Sequence, residues 1–356
     1  MNIAALVSGG VDSSAIVHLL KEEGFTPTLF YIIITMEDED GFWDCSYKED
    51  IDIVMKIARQ YGLKMEVLSL HKEYWEQVIS YHIESVKKGL TPNPDMMCNK
   101  LIKFGTFDEK YGKDFDKIAS GHYAATSEIN NQIYLSTAKD KIKDQTYFLG
   151  QISHSQLNRL MFPLGDLQKS EVRKLAARAK LPSADRPDSQ GICFLGKINY
   201  RDFLNRFLGE KEGDIVEIES GKILGKHKGF WYHTIGQRQG LGLSLGPWFV
   251  IRKDAGENIV YVSHGYDPEA QYENRIYLKE FNYINPAVDL FNTSEIKFKI
   301  RHTPDFSPGH LRTVNDVHLI ESDLKISGVA PGQFGVIYDQ QEKICLGSGV
   351  IINPPS

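Results

Sequence analysis

Residues 7–14 read VSGGVDSS. The apolar run NIAALVS (2–8) leads into them and the amphipathic pattern SAIVHLLKEEG (14–24) leads out. Strand, glycine turn and helix in this order decide the fold, because they put a nearly side-chain-free bend at the carboxyl end of a buried strand. Glycines let the backbone turn sharply and approach an anion closely. The first N–H groups of the helix, its dipole and the hydroxyls of Ser8, Ser13 and Ser14 can then hold phosphate oxygens. No lysine follows the second glycine at Walker A spacing, and the pattern is not the G-x-G-x-x-G dinucleotide fingerprint.

Outward from this loop, PTLFYIIIT (27–35) predicts a second buried strand and KMEVLSL (64–70) another strand, with KEDIDIVMKIARQYG (48–62) a helix between them. DKIASGHYAAT (116–126) adds a strand and its exit turn. Strands alternating with helices predict a parallel sheet with helices on both faces, and ligands gather at the carboxyl ends of such strands. Residues 153–207 read as mostly helical and charged, interrupted by PSADRPDSQGICFLG (182–196). From about Gly209, GDIVEIESGKILGKHKG (213–229) and GQRQGLGLSLG (236–246) read as glycine-punctuated short strands. From about Asn274 the pattern is all-β, as in a small barrel or sandwich. The expected division is 1–207 (helical part about 153–207), a small central domain 208–272 and a C-terminal β-barrel domain 273–356.

The chain has 356 residues, 42% hydrophobic and 25% charged, which suits two or three soluble globular domains. No apolar run approaches the roughly 20 residues of a membrane span. The first motif starts within the first ten residues, leaving no room for a signal or transit peptide, so a cytoplasmic protein is expected. A net charge of -6 argues against non-specific coating of nucleic acid, though not against a local basic surface for one structured RNA. The four cysteines, at 45, 98, 193 and 345, are too scattered for a secreted disulfide framework and form no C-x-x-C pair. A cysteine-built zinc or iron–sulfur site is therefore not expected.

TPNPDMMCNKLIKF (91–104) sets Asp95 three positions ahead of Cys98. A lone cysteine is more often packing than chemistry, and a free thiol with a pKa of about 8.5 is only slightly ionised near neutrality. Lys100, Lys103 or a helix N-terminus could raise the thiolate fraction, whereas Asp95 opposes it. Pro92 and Pro94 restrict the backbone.

VSGGVDSS resembles the pyrophosphate-binding loop of the N-type ATP pyrophosphatases. TPNPDMMCNKLIKF resembles the catalytic segment of one branch of them, the tRNA-specific 2-thiouridylases. The likeness continues through SGHYA, KDQTYFL, FPLGDLQKSEVRKLA, DSQGICFLG, YHTIGQRQGLG and APGQFGVIY…CLGSGVI, in the family's order. The resemblance implies an α/β fold whose parallel-sheet N-terminal domain is adenine nucleotide alpha hydrolase-like. The implied activity is ATP-dependent 2-thiolation of the wobble uridine of tRNA. The uridine O2 is joined to AMP and then displaced by sulfur from a cysteine persulfide, giving 2-thiouridine, AMP and pyrophosphate. ATP and Mg²⁺ are the implied cofactors, with Asp12 near the ion and no metal held by protein alone.

By motif match Cys193 is the persulfide carrier and Cys98 its nucleophilic partner. Cys98 either attacks the carrier's inner sulfur, freeing sulfide, or helps collapse the persulfide directly. Both routes leave a Cys98–Cys193 disulfide to be reduced, and the DSQGICFLG loop is expected to move. Asn93, Pro94 and Asp95 are the implied contacts to the target base, with Asp95 as general acid/base. Leu6, Val7, Ser8, Gly9, Gly10, Val11, Asp12 and Ser13 form the ATP loop, joined by Gly121 and Tyr31; around Tyr31, YIIITMEDEDGFW departs from the family's wording. His122, Lys143, Asp144, Gln145, Arg301, His302 and Gln333 are implied tRNA contacts, with His302 standing where the family has a tyrosine. Basic residues of KDKIKDQ and KSEVRKLAARAK offer a phosphate-facing surface or simply a solvated face. No catalytic role transfers to Cys45 or Cys345. The implied partners are tRNA (Lys, Glu and Gln acceptors) and a cysteine desulfurase or sulfur-relay protein, with the chain a monomer and no membrane.

A pyrophosphatase of the GMP-, NAD- or argininosuccinate-synthetase kind would explain SGGVDSS but not the paired cysteine motifs. A non-catalytic tRNA-binding module is expected to have lost Asp12, Asp95, Cys98 or Cys193, and all four are present.

Overall fold

β1 (Ile3–Leu6) is buried along its whole length, as a central strand of a sheet covered on both faces must be. The computed structural model describes residues 1–35, 47–188, 199–265, 268–286, 295–314 and 317–355. Within them β1 is followed by α1 (Val11–Glu22), β2 (Thr28–Ile33), α2 (Tyr47–Tyr61), β3 (Met65–Ser69) and β4 (Lys117–Ser120). The strands form a parallel sheet in the order β3–β2–β1–β4, with the two-residue strand Leu160–Met161 beyond β4. Ala4 lies opposite Thr28 on one side and Ile118 on the other.

Successive residues of a strand point to opposite faces, and β1 divides two cores accordingly. Ile3, Ala5 and Val7 pack with Ile16 and Leu20 of α1 and Val54 and Ile57 of α2. Ala4 and Leu6 pack on the other face with Tyr74, Val78, Met96, Cys98, Phe104 and Phe107. α1 ends where the sequence places its stop: Gly24 takes φ +86, and its N–H and that of Phe25 bond back to Lys21 and Leu20.

A second sheet orders its strands Trp248–Asp254, Ile259–His264, Gly213–Glu217, Ile223–His227. Of the two glycine-punctuated stretches only the first forms strands. Residues 236–246 do not, because Gly236, Gly240 and Gly242 all adopt positive φ, which breaks the pleat before the cis Gly246–Pro247 bond.

The C-terminal strands Tyr272–Tyr283, Val317–Ser327, Ser307–Val314, Glu295–Lys299, Phe334–Tyr338 and Ile344–Ile352 are neighbours in that order. The last also pairs with the first, so the sheet closes into a six-stranded barrel. An additional hairpin, Ala125–Ile129 with Gln132–Ser136, extends this sheet by pairing Leu135 and Ser136 with Cys345 and Ile344. Its turn residues Asn130 and Asn131 take φ 51 and 59, the two left-handed positions of a type I′ hairpin. One core runs through both regions, with Tyr147 and Leu149 packed among Phe334, Val336 and Tyr338. Among the described residues no helix is long and apolar enough to cross a membrane.

Candidate active site

The phosphate loop sits where β1 gives way to α1. Gly9 has φ +76, and a Cβ there would lie 3.1 Å from the backbone of Asp50, so the loop needs glycine for conformation and for space. Ser13 Oγ accepts from the Ser8 N–H at 3.0 Å, and Ser14 Oγ donates to the Gly10 carbonyl at 2.8 Å. The serines therefore brace the loop from inside. Gly10 caps α1 without a side-chain hydrogen bond, which leaves the first-turn N–H groups without a capping side chain, the arrangement in which a helix start receives an anion.

A charged network meets this loop. Lys169 Nζ donates to both Asp12 oxygens at 2.7 Å and also pairs with Asp188 at 2.9 Å. Asp188 is gripped further by Lys143 at 2.7 Å and by Arg173. Burial alone would raise the Asp188 pKa, yet hydrogen bonds from Lys143, Lys169 and Arg173 hold it well below the ordinary carboxylate range. The Tyr123 hydroxyl donates to Asp12 Oδ1 at 2.8 Å, and burial beside Asp12 pushes that phenol up. Arg186 Nη1 joins the Gly9 carbonyl, 3.1 Å, to Asp50 Oδ1, 2.6 Å, and Tyr31, buried in β2, donates its hydroxyl to Asp50 at 3.3 Å. Tyr31 thus reaches the loop indirectly. Lys169 and Arg173 stand in KSEVRKLAARAK, whose charge pattern predicts a solvated or RNA-facing helix; the structure instead turns them toward Asp12 and Asp188 beside the glycine loop.

Among the described residues no three His, Cys, Asp or Glu side chains could cage a metal ion. Lys169 occupies both Asp12 oxygens, so Asp12 fits an ion carried in on phosphate oxygens once that ammonium turns away, since Mg²⁺ is usually held by one or two carboxylates together with substrate phosphates and water.

The 94–111 helical run begins with a four-residue turn, Pro94–Met97, and continues as a π-helical stretch, Cys98–Thr106. Asn93 Oδ1 accepts the Met96 N–H at 3.1 Å and Pro94 occupies the first turn, where its missing N–H costs nothing. Cys98 is buried, with its own N–H already bonded within the helix. Lys100 Nζ goes to Gln151 and Lys103 Nζ to Asn99. One Asp95 carboxylate oxygen is buried and has no hydrogen-bond partner within the protein, so it is open to accept a hydrogen bond from outside the chain.

The turn after β4 joins loop and helix. A Cβ on Gly121 would lie 2.9 Å from the Ser13 nitrogen and 3.1 Å from the Asp12 carbonyl carbon, so this turn lies directly on the start of α1. The next residue, His122, packs its ring 5.9 Å from that of Phe104 in the Cys98 helix, with Nδ1 2.7 Å from Ser120 Oγ. Burial, with Lys103 adding to it, pushes the imidazole down to about 3, so His122 is neutral at pH 7.

The remaining candidates fall on the barrel-facing side. Asp144 is 3% exposed and accepts from the Ala138 N–H and the Thr146 hydroxyl, holding its own loop. Gln145 Oε1 accepts the Tyr123 N–H. His302 is exposed, donates Nε2 to the Asp144 carbonyl at 2.8 Å and lies against Phe148. Arg301 is exposed and donates to the Ser327 carbonyl. Gln333 reaches the Pro92 carbonyl and the Tyr147 hydroxyl, both at 3.4 Å. Cys345 is buried and its thiol is pushed up by burial, as suits a packed sulfur. Cys193 with its loop, and Cys45, lie outside the described residues.

Residues 1–197 match the family described as tRNA methyl transferase HUP domain, 201–264 the tRNA methyl transferase PRC-barrel domain and 273–351 the aminomethyltransferase beta-barrel domain. The chain is 63% identical over 355 residues to the tRNA-specific 2-thiouridylase MnmA of Parabacteroides distasonis, covering 99% of both chains. It is 57% identical over 357 residues to the protein of that name from Porphyromonas gingivalis, again covering 99% of both. A U34-tRNA thiolase structure, NcsA of Methanococcus maripaludis, aligns with 58% of this chain and 67% of its own at TM-score 0.36 and 17% identity, too distant to carry an argument.

Proposed function

The chain belongs to the tRNA-specific 2-thiouridylase family, and we propose that it activates the wobble uridine of tRNA with ATP and replaces O2 by sulfur through Cys98 and Cys193. The observation that carries this is the Gly121–His122 turn, which lies on the phosphate loop with one residue and on the Cys98 helix with the next. A nucleotide on the loop and a base beside Asp95 would then meet across one short wall.

In the first step the uridine O2 attacks the α-phosphorus of ATP, an O–P bond forms and pyrophosphate leaves. Leu6 to Ser13 and Gly121 line the nucleotide, with Tyr31 held behind them. Lys169 serves as the cation that leaves Asp12 and Asp188 for phosphate oxygens. Mg²⁺ bound with the nucleotide would neutralise phosphate charge, and Asp12 is the residue that would hold it. Asn93, Pro94 and Asp95 hold the base, the bare Asp95 oxygen addressing the ring. A uridine inside an anticodon stack must leave it to arrive there, the usual solution for chemistry on a base.

Sulfur then arrives as a persulfide on Cys193. In one route the Cys98 thiolate attacks the inner sulfur, the persulfide S–S bond breaks, and the sulfide released attacks C2 as AMP departs. In the other the terminal sulfur attacks C2 and expels AMP, and Cys98 then attacks the inner sulfur, leaving the electron pair on the new thiocarbonyl. Both end in a Cys98–Cys193 disulfide that a thiol reductant must reopen by supplying two electrons. Exposed Arg301 and His302, with Lys143, Gln145 and Gln333, form the tRNA grip, and His122 contacts the RNA as a neutral imidazole. Asp144 shapes the grip from within. A cysteine desulfurase or relay protein in the cytoplasm supplies sulfur to a monomeric enzyme acting on tRNAs for Lys, Glu and Gln.

The test is ATP-dependent thiolation of unmodified tRNA by the wild type, Cys98→Ser and Cys193→Ser proteins. Both variants should bind tRNA and make no 2-thiouridine. Full activity in either sinks the two-cysteine route, and release of ADP in place of AMP sinks adenylation.

A further inference from the structure

Residues 90–93 lead into the helix carrying Asp95 and Cys98, and they belong to neither helix nor strand. Pro92 and Pro94 have no N–H to give, so this lead-in has few backbone bonds with which to fix itself. The barrel supplies them. The Thr91 N–H donates to the Pro331 carbonyl at 2.8 Å, and Gln333 Nε2 reaches the Pro92 carbonyl at 3.4 Å. Between these two contacts Gly332 takes φ +94, and a Cβ there would lie 2.8 Å from Leu90 Cβ and 2.9 Å from the Thr91 nitrogen. Barrel turn and catalytic lead-in therefore touch backbone to backbone.

Both ends of this contact are anchored. The Gly332 N–H donates to the Ile351 carbonyl at 2.8 Å, and the Ile351 N–H returns to the Gln333 carbonyl at 2.7 Å, tying the turn to the last barrel strand. On the other side the Asn93 side chain caps the Cys98 helix through Met96, and the buried Tyr147 hydroxyl donates at 3.4 Å to Gln333 Oε1, the side chain that also reaches the Pro92 carbonyl. That hydroxyl lies 3.1 Å from the Ile300 carbonyl and 3.3 Å from the Phe334 carbonyl. Ile300 immediately precedes Arg301 and His302, so the surface assigned to tRNA and the base-reacting segment share one hydrogen-bonded junction.

We propose that the barrel turn 330–333 is a positioning element of the catalytic site, with Gly332 and Tyr147 setting the backbone from which Asn93, Asp95 and Cys98 project. This deepens and rests on the thiolation reading above. The barrel is then needed for chemistry as well as for holding RNA, because the lead-in takes its direction from it.

Gly332→Ala and Tyr147→Phe test this. Neither residue is assigned a contact to nucleotide or RNA. Single-turnover thiolation, kcat and KM for tRNA are measured beside binding of a non-hydrolysable ATP analogue, tRNA gel shift and thermal melting. Gly332→Ala should lower kcat by about ten- to hundredfold, the scale of a misplacement of roughly 1 Å at a reacting centre. Tyr147→Phe, which keeps the ring, should lower it by roughly threefold or more. Both should leave KM for tRNA, the ATP analogue Kd and the tRNA Kd within about twofold of wild type. Wild-type kcat in both variants overturns the positioning role. So does a fall in kcat matched by equal losses in ATP and tRNA binding, which marks general damage. If Gly332→Ala does not fold, Tyr147→Phe decides by the same split. A wild-type protein that makes no 2-thiouridine would instead refute the function itself.

Discussion

Gly121→Ala isolates the contact between the turn after β4 and the phosphate loop. The added methyl would meet the Ser13 nitrogen at 2.9 Å, and the Asp12 carbonyl carbon and Ser13 Cα at 3.1 Å. All three are backbone atoms of α1's first turn, so no side-chain rotation relieves the clash. Ordinary carbon contacts begin near 3.5 Å, so loop and turn must separate by about half an ångström. Overpacking of this kind costs about 1–3 kcal/mol. For a domain of roughly 200 residues each kcal/mol lowers Tm by about 2–4 °C. The same displacement moves the first-turn N–H groups away from the phosphates. A hydrogen bond to a charged group is worth about 1.5–3 kcal/mol, so losing one weakens ATP about tenfold or more. Titration with a non-hydrolysable ATP analogue measures this, with a tRNA gel shift as the control that should not change. Wild-type ATP affinity in a variant that carries the alanine would refute the role given to this turn.

Lys169→Met should weaken ATP analogue binding by about ten- to hundredfold, because it removes one charge-assisted contact to phosphate, while tRNA binding stays as in wild type. Stability should fall by only about 1–2 kcal/mol, less than for a fully buried pair, since Asp12 keeps Tyr123 and Asp188 keeps Lys143 and Arg173. Unchanged ATP affinity would remove Lys169 from the nucleotide site. The protein should also be acid-sensitive well above carboxylate titration. His82, packed against Tyr200 and Phe203, is pushed by burial down to about 4, and His233 likewise to about 4. The unfolded chain, with histidines near 6.5, then binds more protons than the folded one between about pH 6.5 and 4, so stability is lost as pH falls through that window. His82 alone accounts for about 2 kcal/mol at pH 5. Melting followed from pH 7.5 to 5 should show the slope, reduced in His82→Gln, and a flat profile would contradict it.

The phosphate loop was legible because its whole logic is local. An apolar strand, two glycines and a helix start lie within a dozen or so residues, and the backbone properties of glycine are the same in every fold. β1 and β2 were legible for a similar reason, since strands buried on both faces are continuous apolar runs, whereas the edge strand β3, with Val67 exposed, shows itself only as a shorter mixed run. The Asn130–Asn131 hairpin carries a local turn signal, two asparagines that tolerate positive φ. Its pairing with Cys345 and Ile344 could not be read, because edge pairing leaves no period in either strand.

The sequence by itself marked Asp12 through a local strand–glycine–helix motif, and Asp95 and Cys98 through the resemblance of 91–104 to a family's catalytic segment. Only the tertiary structure decided their company. Lys169 reaches Asp12 across 157 positions, Arg186 reaches Gly9 across 177, and Gly332 closes on Thr91 from the far end of the chain. Charge pairing and steric fit act through space with no regular spacing along the chain, so a lysine that pairs with the carboxylate beside a glycine loop looks, in sequence, like any solvated lysine on a helix.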